Sequence, residues 1–307
     1  MTSQAVAAVP PRPSALVVWW RALRAYSFPG SIVPVVVGAL YAAAAHETVT
    51  WAYLPLAILV GVALHIGTNM VNDAADFSRG VDTAETKGGS GVLVRGWLSA
   101  SKVYAGAVAA FVAAALLGLP ILLARGWPLL TLGLIAIVGG YAYTGPPFSL
   151  KYRAVGDVLV FLLMGPLMVA GGALAVSGAF PRGIWAAGVP VGFLITAVLA
   201  ANNQRDREDD GRRGVHTLAT LLGPSGARAW TLFVMAMAYV TVVALVVGGV
   251  LSAWTLVTLA TLPLAAPLLR QVGAKGELPM GIVERIAGLH LFFGLAYALG
   301  LILATAL

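Results

Sequence analysis

Residues 54–76 read LPLAILVGVALHIGTNMVNDAAD, a long apolar run that ends in a cluster of Asn and Asp residues. The hydrocarbon core of a bilayer is roughly 30 Å thick, so a helix needs about 20 apolar residues to cross it. The run is continuous and does not alternate between apolar and polar residues, which favours a helix over a strand of a membrane barrel. This stretch therefore predicts a transmembrane helix with polar side chains at one end.

The same kind of apolar run recurs through the whole chain. Of its 307 residues, 60% are hydrophobic and 10% are charged, whereas soluble domains are about 45–50% apolar and about 25% charged. We therefore predict an all-α integral membrane protein, a bundle of nine transmembrane helices that forms a single domain over residues 16–307 after a disordered tail at residues 1–15. The predicted spans cover residues 16–45, 51–77, 102–124, 127–144, 156–178, 184–204, 227–249, 252–270 and 284–306.

The charged residues are distributed unequally between the two ends of the predicted bundle. Of the 19 Lys and Arg residues, only Arg125 and Arg182 fall in the short loops that follow odd-numbered spans. An excess of Lys and Arg marks the cytoplasmic face, so the N-terminus and the longer loops are predicted to be cytoplasmic. This placement accounts for the net charge of +7 without a nucleic-acid partner. Of the 12 acidic residues, only Glu47 lies in a short loop on the side opposite the predicted cytoplasmic face. The excess of Lys and Arg on the cytoplasmic face does not explain why the acidic residues are concentrated there too.

The first acidic cluster closes the second span. Asn69, Asn72, Asp73 and Asp76 recur at spacings of three and four, which places them on one face of a helix. Asp82 follows shortly after, past the point where a glycine is expected to end the helix. Acidic residues that continue a hydrophobic helix usually face a cavity or a partner. The alternative, a helix end that has merely emerged into water, suits a single Asp better than three Asp and two Asn.

The second acidic cluster closes the sixth span and reads ANNQRDREDDGRRGVHTLATLLG, residues 201–223. Asn202, Asn203, Asp206 and Asp210 share one face of a helix, at spacings of about four. Glu208 and Asp209 point elsewhere and are expected to be solvated. Both clusters begin with Asn, and both end an even-numbered span on the predicted cytoplasmic side, so we expect them to act together.

Carboxylate and amide oxygens without His or Cys suit Mg²⁺, which binds through one or two carboxylates together with substrate phosphates. Two facing sets of such ligands could hold metal ions that bridge one diphosphate and make it a good leaving group. If the departing carbon is allylic, the site must then exclude water from a carbocation. The alternatives are a transporter, whose acidic residues usually lie near the midplane of the membrane, and a scaffold protein, which leaves two matched clusters unexplained.

The loop after the second span supplies basic residues near the first cluster. It carries Arg79, Lys87 and Arg95 in a glycine-rich stretch, KGGSGVLVRG at residues 87–96. Cations and exposed backbone N–H groups suit phosphate oxygens. The cytoplasmic position of this loop alone also predicts basic residues, so the signal is not specific.

The loop after the fourth span reads YAYTGPPFSLKYRAVGD, residues 141–157. Tyr143, Lys151 and Arg153 make it a candidate aromatic and basic lid, and an interfacial belt with snorkelling cations is the alternative. Asp157 lies just inside the fifth span and is a candidate partner of Lys151 or Arg153.

The two motifs NDAADFSRGVD and NNQRDREDDGRRGVHTLA resemble the two Asp-rich motifs of the UbiA superfamily of membrane prenyltransferases. The resemblance covers nearly the whole chain, with motifs after the second and sixth spans and YTGPPFSLKYRAVGD between them. Three features look most like the 1,4-dihydroxy-2-naphthoate polyprenyltransferases of menaquinone biosynthesis: the pair Gly80 and Asp82, the GGSGVLV loop, and the form of the second motif.

The resemblance implies Mg²⁺-dependent transfer of a polyprenyl chain from its diphosphate to 1,4-dihydroxy-2-naphthoate, which yields demethylmenaquinone, CO2 and diphosphate. It implies a multi-pass enzyme of the cell's inner (cytoplasmic) membrane with its active site on the cytoplasmic side. Another aromatic acceptor (4-hydroxybenzoate, homogentisate or a chlorin) or a glycerol-phosphate lipid is the alternative within the superfamily.

Together with the residue pattern, the resemblance gives a candidate site. The metal ligands are Asn72, Asp73, Asp76, Asp82, Asn202, Asp206 and Asp210. The catalytic residues are Asp73, Asp76, Asp206, Asp210 and Lys151. The substrate-binding residues are Asn69, Asn72, Asn202, Arg79, Lys87, Tyr143 and Arg153. The second motif departs from the family at Val215, where Lys is common, and Arg212 or Arg213 is the expected substitute.

Overall fold

The computed structural model describes residues 13–83 and 89–306. Helices dominate this part of the chain, and its one extended pairing is an isolated backbone bridge between Arg153 and His216. The α-helices are α1 (Ala15–Ala22), α2 (Pro29–Ala44), α3 (Tyr53–Ser78), α4 (Ala100–Arg125), α5 (Trp127–Thr144), α6 (Gly156–Leu162), α7 (Met168–Ser177), α8 (Ile184–Ala187), α9 (Val189–Arg212), α10 (Leu218–Val247), α11 (Leu262–Gly273) and α12 (Ile282–Ala306). Residues 1–12 of the predicted tail lie outside the described residues, and α1 already begins at Ala15.

Several of these helices join into membrane spans. A π-helical turn links α6 to α7 in one span, α8 continues into α9, and a 3-10 helix at Ala253–Thr261 leads into α11. Within the described residues, eight such spans are long and apolar enough to cross a bilayer, and there are nine if the segment Ala15–Ser27 and α2, bent by 48°, are counted as one span. These spans confirm the predicted all-α membrane bundle.

Two predicted span ends were wrong. The sixth span was expected to end at residue 204, but α9 continues to Arg212, so the second acidic motif is helical throughout. The seventh was expected to begin at residue 227, but α10 begins at Leu218 and is interrupted at Gly223, whose φ is +68°. Pro224 disfavours helical backbone in the residue before it, which explains the break at that point.

The helices pack most closely where glycines allow backbones to touch. A Cβ added at Gly38 of α2 would lie 1.9 Å from the carbonyl oxygen of Val169 in α7, and one at Gly172 would lie 2.3 Å from that of Val35. Small residues allow such approaches between membrane helices. The apolar segments of α4 and α5 are only 17% buried, against 61% for the span that contains α9. The span with α9 therefore lies in the interior of the bundle, and α4 and α5 lie at its periphery.

Two loops close over the same end of the bundle. After α3 the chain turns back at Gly80, whose φ is +70°, and the N–H groups of Val81 and Asp82 donate to the Asp76 carbonyl oxygen at 2.8 and 3.2 Å. The loop after α5 is tied to the one after α9, because the Ala154 N–H donates to the His216 carbonyl oxygen at 2.7 Å. These turns bring the ends of α3, α5 and α9 together around one space.

Candidate active site

A cavity of about 480 Å³ lies at this end of the bundle. Its polar wall carries residues from both Asp-rich motifs, and its deeper wall is apolar. The predicted site residues on the wall are Asn69, Asn72, Asp76, Asp82, Tyr143, Lys151, Asn202, Asp206 and Asp210. The two motifs, which are more than 120 residues apart in the sequence, therefore share one cavity.

Asp76 is the most heavily bonded carboxylate of the first motif. It is buried, and it accepts hydrogen bonds from Lys151 Nζ at 2.7 Å, from Asn72 Nδ2 at 2.6 Å and from the Tyr152 hydroxyl. Burial lowers the pKa of Lys151, but the charge of Asp76 outweighs it and raises that pKa overall. Burial and the same charge raise the pKa of the Tyr152 hydroxyl. Lys151 is therefore a cation at the cavity wall, and Tyr152 is a neutral donor to Asp76.

Asp73 lies behind the wall rather than on it. Its Oδ1 is paired with Arg24, which does line the cavity. Asp73 is only 2% exposed, and its Oδ2 has no hydrogen-bond partner among the described residues. An unpartnered carboxylate oxygen at such depth is costly, so this atom has capacity for a further ligand.

The second motif holds its first carboxylate locally. Asp206 accepts a bidentate pair of hydrogen bonds from Arg205, at 2.7 Å to each oxygen, and a weaker one from Asn202 Nδ2 at 3.3 Å. Arg205 also donates to Asn202 Oδ1 at 2.8 Å. Asp210 lies one turn further along α9, buried at the cavity wall.

Asp82 reaches the cavity from the loop after α3. Its carboxylate is packed against Gly89, where an added Cβ would lie 2.8 Å from Oδ2. Burial, followed by the negative charges of Asp76 and Asp73, raises the pKa of Asp82 to about 7. The loop is tied to the second motif by Arg213, which donates to the Val81 carbonyl oxygen at 2.6 Å and to Thr83 Oγ1 at 2.9 Å.

Two predicted substrate-binding residues, Arg79 and Arg153, do not line the cavity. Arg79 lies over the Tyr152 ring, 4.2 Å from its centroid, and donates to Ser149 Oγ at 2.6 Å, so it holds the loop in place. Arg153 is exposed, and its backbone forms the bridge to the loop after α9. Lys87 lies outside the described residues.

Asp157 does not pair with Lys151 or Arg153, as its position in the sequence had indicated. It accepts hydrogen bonds from Trp230 Nε1 at 2.9 Å and from Asn203 Nδ2 at 3.3 Å. Asn203 thus connects the second motif to α6 and, through Asp157, to α10, and it also lines the cavity beside Asn202. Asp157 supports the motif from behind.

Two cations on the cavity wall, Arg24 and Arg205, were not predicted from the sequence. Arg213 was named only as a substitute for the absent lysine, and Val215 itself is buried with its N–H bonded to the Asp210 carbonyl oxygen at 2.9 Å. Arg212 is exposed and pairs with Asp209 instead. Arg205 directly precedes Asp206 in the sequence. A basic residue beside a predicted metal ligand was the signal that could have identified it.

The donor set suits Mg²⁺. Within residues 13–83 and 89–306, no three acidic or His side chains converge on one point as metal ligands would, and three of the carboxylates are paired with cations of the chain. The cavity nevertheless gathers carboxylate and amide oxygens, and Asp73 keeps one unpartnered oxygen. Hard oxygen ligands of this kind fit Mg²⁺ better than a softer metal.

Comparison with known proteins gives the same family over most of the chain. Residues 31–276 match the model of the UbiA prenyltransferase family. The 1,4-dihydroxy-2-naphthoate octaprenyltransferase of Bacillus subtilis is 30% identical over 295 residues, 93% of this chain and 92% of that protein. The protein of the same name from Mycobacterium tuberculosis is 35% identical over 249 residues, 80% of this chain and 83% of that protein.

Solved structures share the fold. A UbiA homolog from Aeropyrum pernix superposes with a TM-score of 0.66 at 20% identity, over 89% of this chain and 97% of that one. A UbiA homolog from Archaeoglobus fulgidus bound to GPP and Mg²⁺ superposes with a TM-score of 0.61 at 19% identity, over 92% of this chain and 99% of that one. With its two Asp-rich motifs at one cavity in a membrane bundle, the chain belongs to the UbiA prenyltransferase family and is a multi-pass membrane prenyltransferase.

Proposed function

We propose that this enzyme transfers a polyprenyl chain from its diphosphate to 1,4-dihydroxy-2-naphthoate. The observation that carries the proposal is the single cavity that joins the carboxylates of both motifs to an apolar interior. The acceptor is supported by the names of the relatives in Bacillus subtilis and Mycobacterium tuberculosis, which cover most of this chain.

The two motifs would hold the metal through Asn72, Asp73, Asp76, Asp82, Asn202, Asp206 and Asp210. When bound, Mg²⁺ neutralises the diphosphate and makes it a better leaving group. Beside these ligands the chain offers its own cations to the diphosphate oxygens, since Arg24, Lys151 and Arg205 all line the cavity. Tyr152 supports this wall from behind, because its hydroxyl donates to Asp76.

The deeper wall protects the reacting carbon. The bond between the first prenyl carbon and oxygen breaks, and its electron pair leaves with the diphosphate. The allylic cation left behind would react with water, so its surroundings must be dry. Leu163, Met164 and Ile195 provide apolar walls, and the Tyr143 ring offers a π-face to the positive charge.

The acceptor step balances without a further reactant. The new C–C bond forms at the ring carbon that bears the carboxylate, and the bond to the carboxylate breaks. CO2 leaves, and the electron pair of that bond restores the aromatic ring. The product is demethylmenaquinone in its quinol form.

A direct assay tests the reaction. Purified enzyme with Mg²⁺ and a labelled polyprenyl diphosphate is incubated with 1,4-dihydroxy-2-naphthoate, 4-hydroxybenzoate, homogentisate or a glycerol-phosphate lipid. We expect a prenylated product and labelled CO2 from carboxyl-labelled naphthoate alone. Efficient prenylation of another acceptor, with the naphthoate left unchanged, would replace the proposed acceptor.

We also propose that the cavity faces the cytoplasm across the inner membrane, as the distribution of Lys and Arg supports. Because the chain has no cysteine, single cysteines report orientation without background. A membrane-impermeant maleimide should label Arg182→Cys in intact cells and Lys275→Cys only in inverted vesicles. The reverse pattern would place the cavity on the outside.

A further inference from the structure

A histidine of the last helix lies on the wall of the catalytic cavity with an unused ring nitrogen. His290 of α12 lines the cavity and is only 2% exposed, and its Nε2 has no hydrogen-bond partner among the described residues. A buried polar atom without a partner costs free energy, and such atoms are rare in native proteins. The Nε2 atom of His290 therefore has capacity for a ligand.

The other histidine on this wall is different. His65 of α3 also lines the cavity, but its Nδ1 lies 2.6 Å from Ser31 Oγ and its Nε2 lies 3.5 Å from Ser27 Oγ. Asn69 Nδ2 donates to the same Ser27 hydroxyl at 3.3 Å. The side chain of His65 is thus held by the protein itself, whereas His290 is not held in this way.

His290 lies below the mouth of the cavity. Glu284, also on α12 and on the cavity wall, is exposed. Six residues at 1.5 Å per residue place His290 about 9 Å further along the helix axis. Ala287 lines the cavity between them. The last helix therefore contributes one continuous stripe to the cavity, with a charged residue at the mouth and an imidazole inside.

The cavity is otherwise apolar around this part of α12. One turn beyond His290, a Cβ added at Gly294 would lie 2.3 Å from Val33 Cγ1 of α2, so His290 lies level with the start of α2. There, a Cβ added at Gly30 would lie 3.0 Å from Ile195 Cδ1 of α9. Gly30 and Ile195 both line the cavity. A ligand at this depth therefore meets an apolar surface and the unused nitrogen of His290.

The two proposed substrates differ in how well they match this surface. The diphosphate of the donor belongs with the metal ligands and cations at the polar end, and a prenyl chain has no polar atom for His290. The proposed acceptor combines a flat apolar ring with hydroxyl groups. A neutral imidazole has one nitrogen that accepts a hydrogen bond, and a hydroxyl can donate to it.

We infer that Nε2 of His290 accepts a hydrogen bond from the acceptor hydroxyl next to the attacked carbon, and takes its proton as the new C–C bond forms. The inference rests on the proposed function and adds the residue that activates the acceptor. Removal of this proton supplies electron density to the neighbouring ring carbon, which is the carbon that attacks.

The step balances. A π-electron pair of the ring forms the new bond, the C–OH group becomes a ketone, and its proton moves to His290. The product of this step is a β-keto acid, which loses CO2 readily. The electron pair of the broken C–C bond restores the ring, and the ketone oxygen takes the proton back from His290. The imidazole ends neutral, and no further reactant is needed.

Two variants separate the hydrogen bond from the proton. His290→Gln keeps an oxygen that accepts a hydrogen bond but is too weak a base to take a proton, and His290→Phe loses both functions. General-base catalysis contributes about 10²–10⁴-fold, so kcat with dihydroxynaphthoate should fall about a hundredfold or more in both variants. The donor KM and the melting temperature of His290→Gln should stay near those of the wild type. Wild-type kcat in His290→Gln would contradict the proton transfer.

An acceptor analogue tests the hydrogen bond in a way that a packing role would not affect. 4-Hydroxy-2-naphthoate lacks the hydroxyl next to the attacked carbon. Calorimetric titration in nanodiscs without donor should show that wild-type enzyme binds dihydroxynaphthoate about tenfold more tightly than the analogue, and that His290→Phe binds both equally. The matched control is His65→Gln, which should keep the wild-type ratio of the two Kd values.

The outcomes separate the role of His290 from the proposed function. Wild-type enzyme that leaves dihydroxynaphthoate unprenylated contradicts the function itself. With an active wild type, a His290→Phe enzyme that retains the tenfold preference overturns the inference. Equal loss of the preference in His65→Gln and His290→Phe also overturns it, because the hydroxyl would then depend on the shape of the cavity and not on one nitrogen.

Discussion

The two Asp-rich motifs hold their carboxylates in different ways. In the first motif, Asp73 and Asp76 are paired with cations 49 and 75 residues away in the sequence, Arg24 and Lys151. In the second motif, Asp206 is held by Arg205, the residue beside it. The first motif therefore depends on the closure of two distant segments, whereas the second is organised by its own helix. Substitutions at the partners should reveal this difference.

The largest effect on turnover is expected from the carboxylates that each motif contributes to the proposed metal site. Asp76→Asn and Asp206→Asn each remove a charge from the proposed metal site, and turnover should fall about a hundredfold or more. Product formation at saturating Mg²⁺, measured beside the melting temperature, checks this. Glu208→Gln is the control, since Glu208 lies on the same helix but is exposed and paired with Arg207. Full activity in either Asp variant would remove that motif from the reaction.

Lys151→Gln should have the next largest effect. It leaves Asp76 buried without its cation, and loss of one partner of a buried pair costs about 3–5 kcal/mol. We expect a lower melting temperature and a higher KM for the donor, because Lys151 also lines the cavity. Kinetics with varied polyprenyl diphosphate and thermal unfolding in detergent measure the two effects separately. An unchanged donor KM would limit Lys151 to holding Asp76.

Arg24→Gln and Arg205→Gln test the difference between the distant pairing of the first motif and the local pairing of the second most directly. Arg24 joins the N-terminal segment to α3 through buried Asp73, so its loss should destabilise the bundle by about 3 kcal/mol. Arg205 is bound to its neighbour on the same helix, so its loss breaks no contact between distant segments and should destabilise the bundle less. Thermal unfolding of the two variants side by side measures the difference. Equal destabilisation would mean that the distant pair contributes no more than the local one.

The smallest effect is expected behind the second motif. Asp157→Asn retains one acceptor for Trp230 or Asn203 but loses the negative charge near α9. The Mg²⁺ concentration for half-maximal activity should rise a few-fold while the maximal rate stays near that of the wild type. A loss of maximal rate at saturating Mg²⁺ would instead indicate a displaced motif.

The sequence predicted the bundle and the acidic residues of the cavity because both depend on local spacing. Apolar runs of span length and Asp residues three or four apart can be read without knowing the tertiary structure. The pairing of Asp73 with Arg24 could not, since it depends on how a bent first span meets α3. Arg153 was misplaced for a similar reason: the 3-10 turn Leu150–Tyr152 directs Lys151 and Tyr152 to Asp76 and leaves the next residue outside.

A second cavity of about 270 Å³, between α3, α4, α5 and α7, could not be predicted from the sequence. It is open where Gly133 and Gly171 lack side chains. Gly133 and Gly172 look alike in a sequence, yet one leaves space open and the other brings two backbones together. Only the positions of the neighbouring helices distinguish the two roles.

The internal ion pairs have a consequence for how the enzyme is made. A newly inserted chain has to assemble in the bilayer before any substrate reaches it, and a pocket of unpaired carboxylates would resist that assembly. Arg24, Lys151 and Arg205 pair with three of those carboxylates, Asp73, Asp76 and Asp206. We therefore expect the chain to fold without isoprenoid or divalent ion, unlike small metal-dependent domains that remain unfolded until they are loaded.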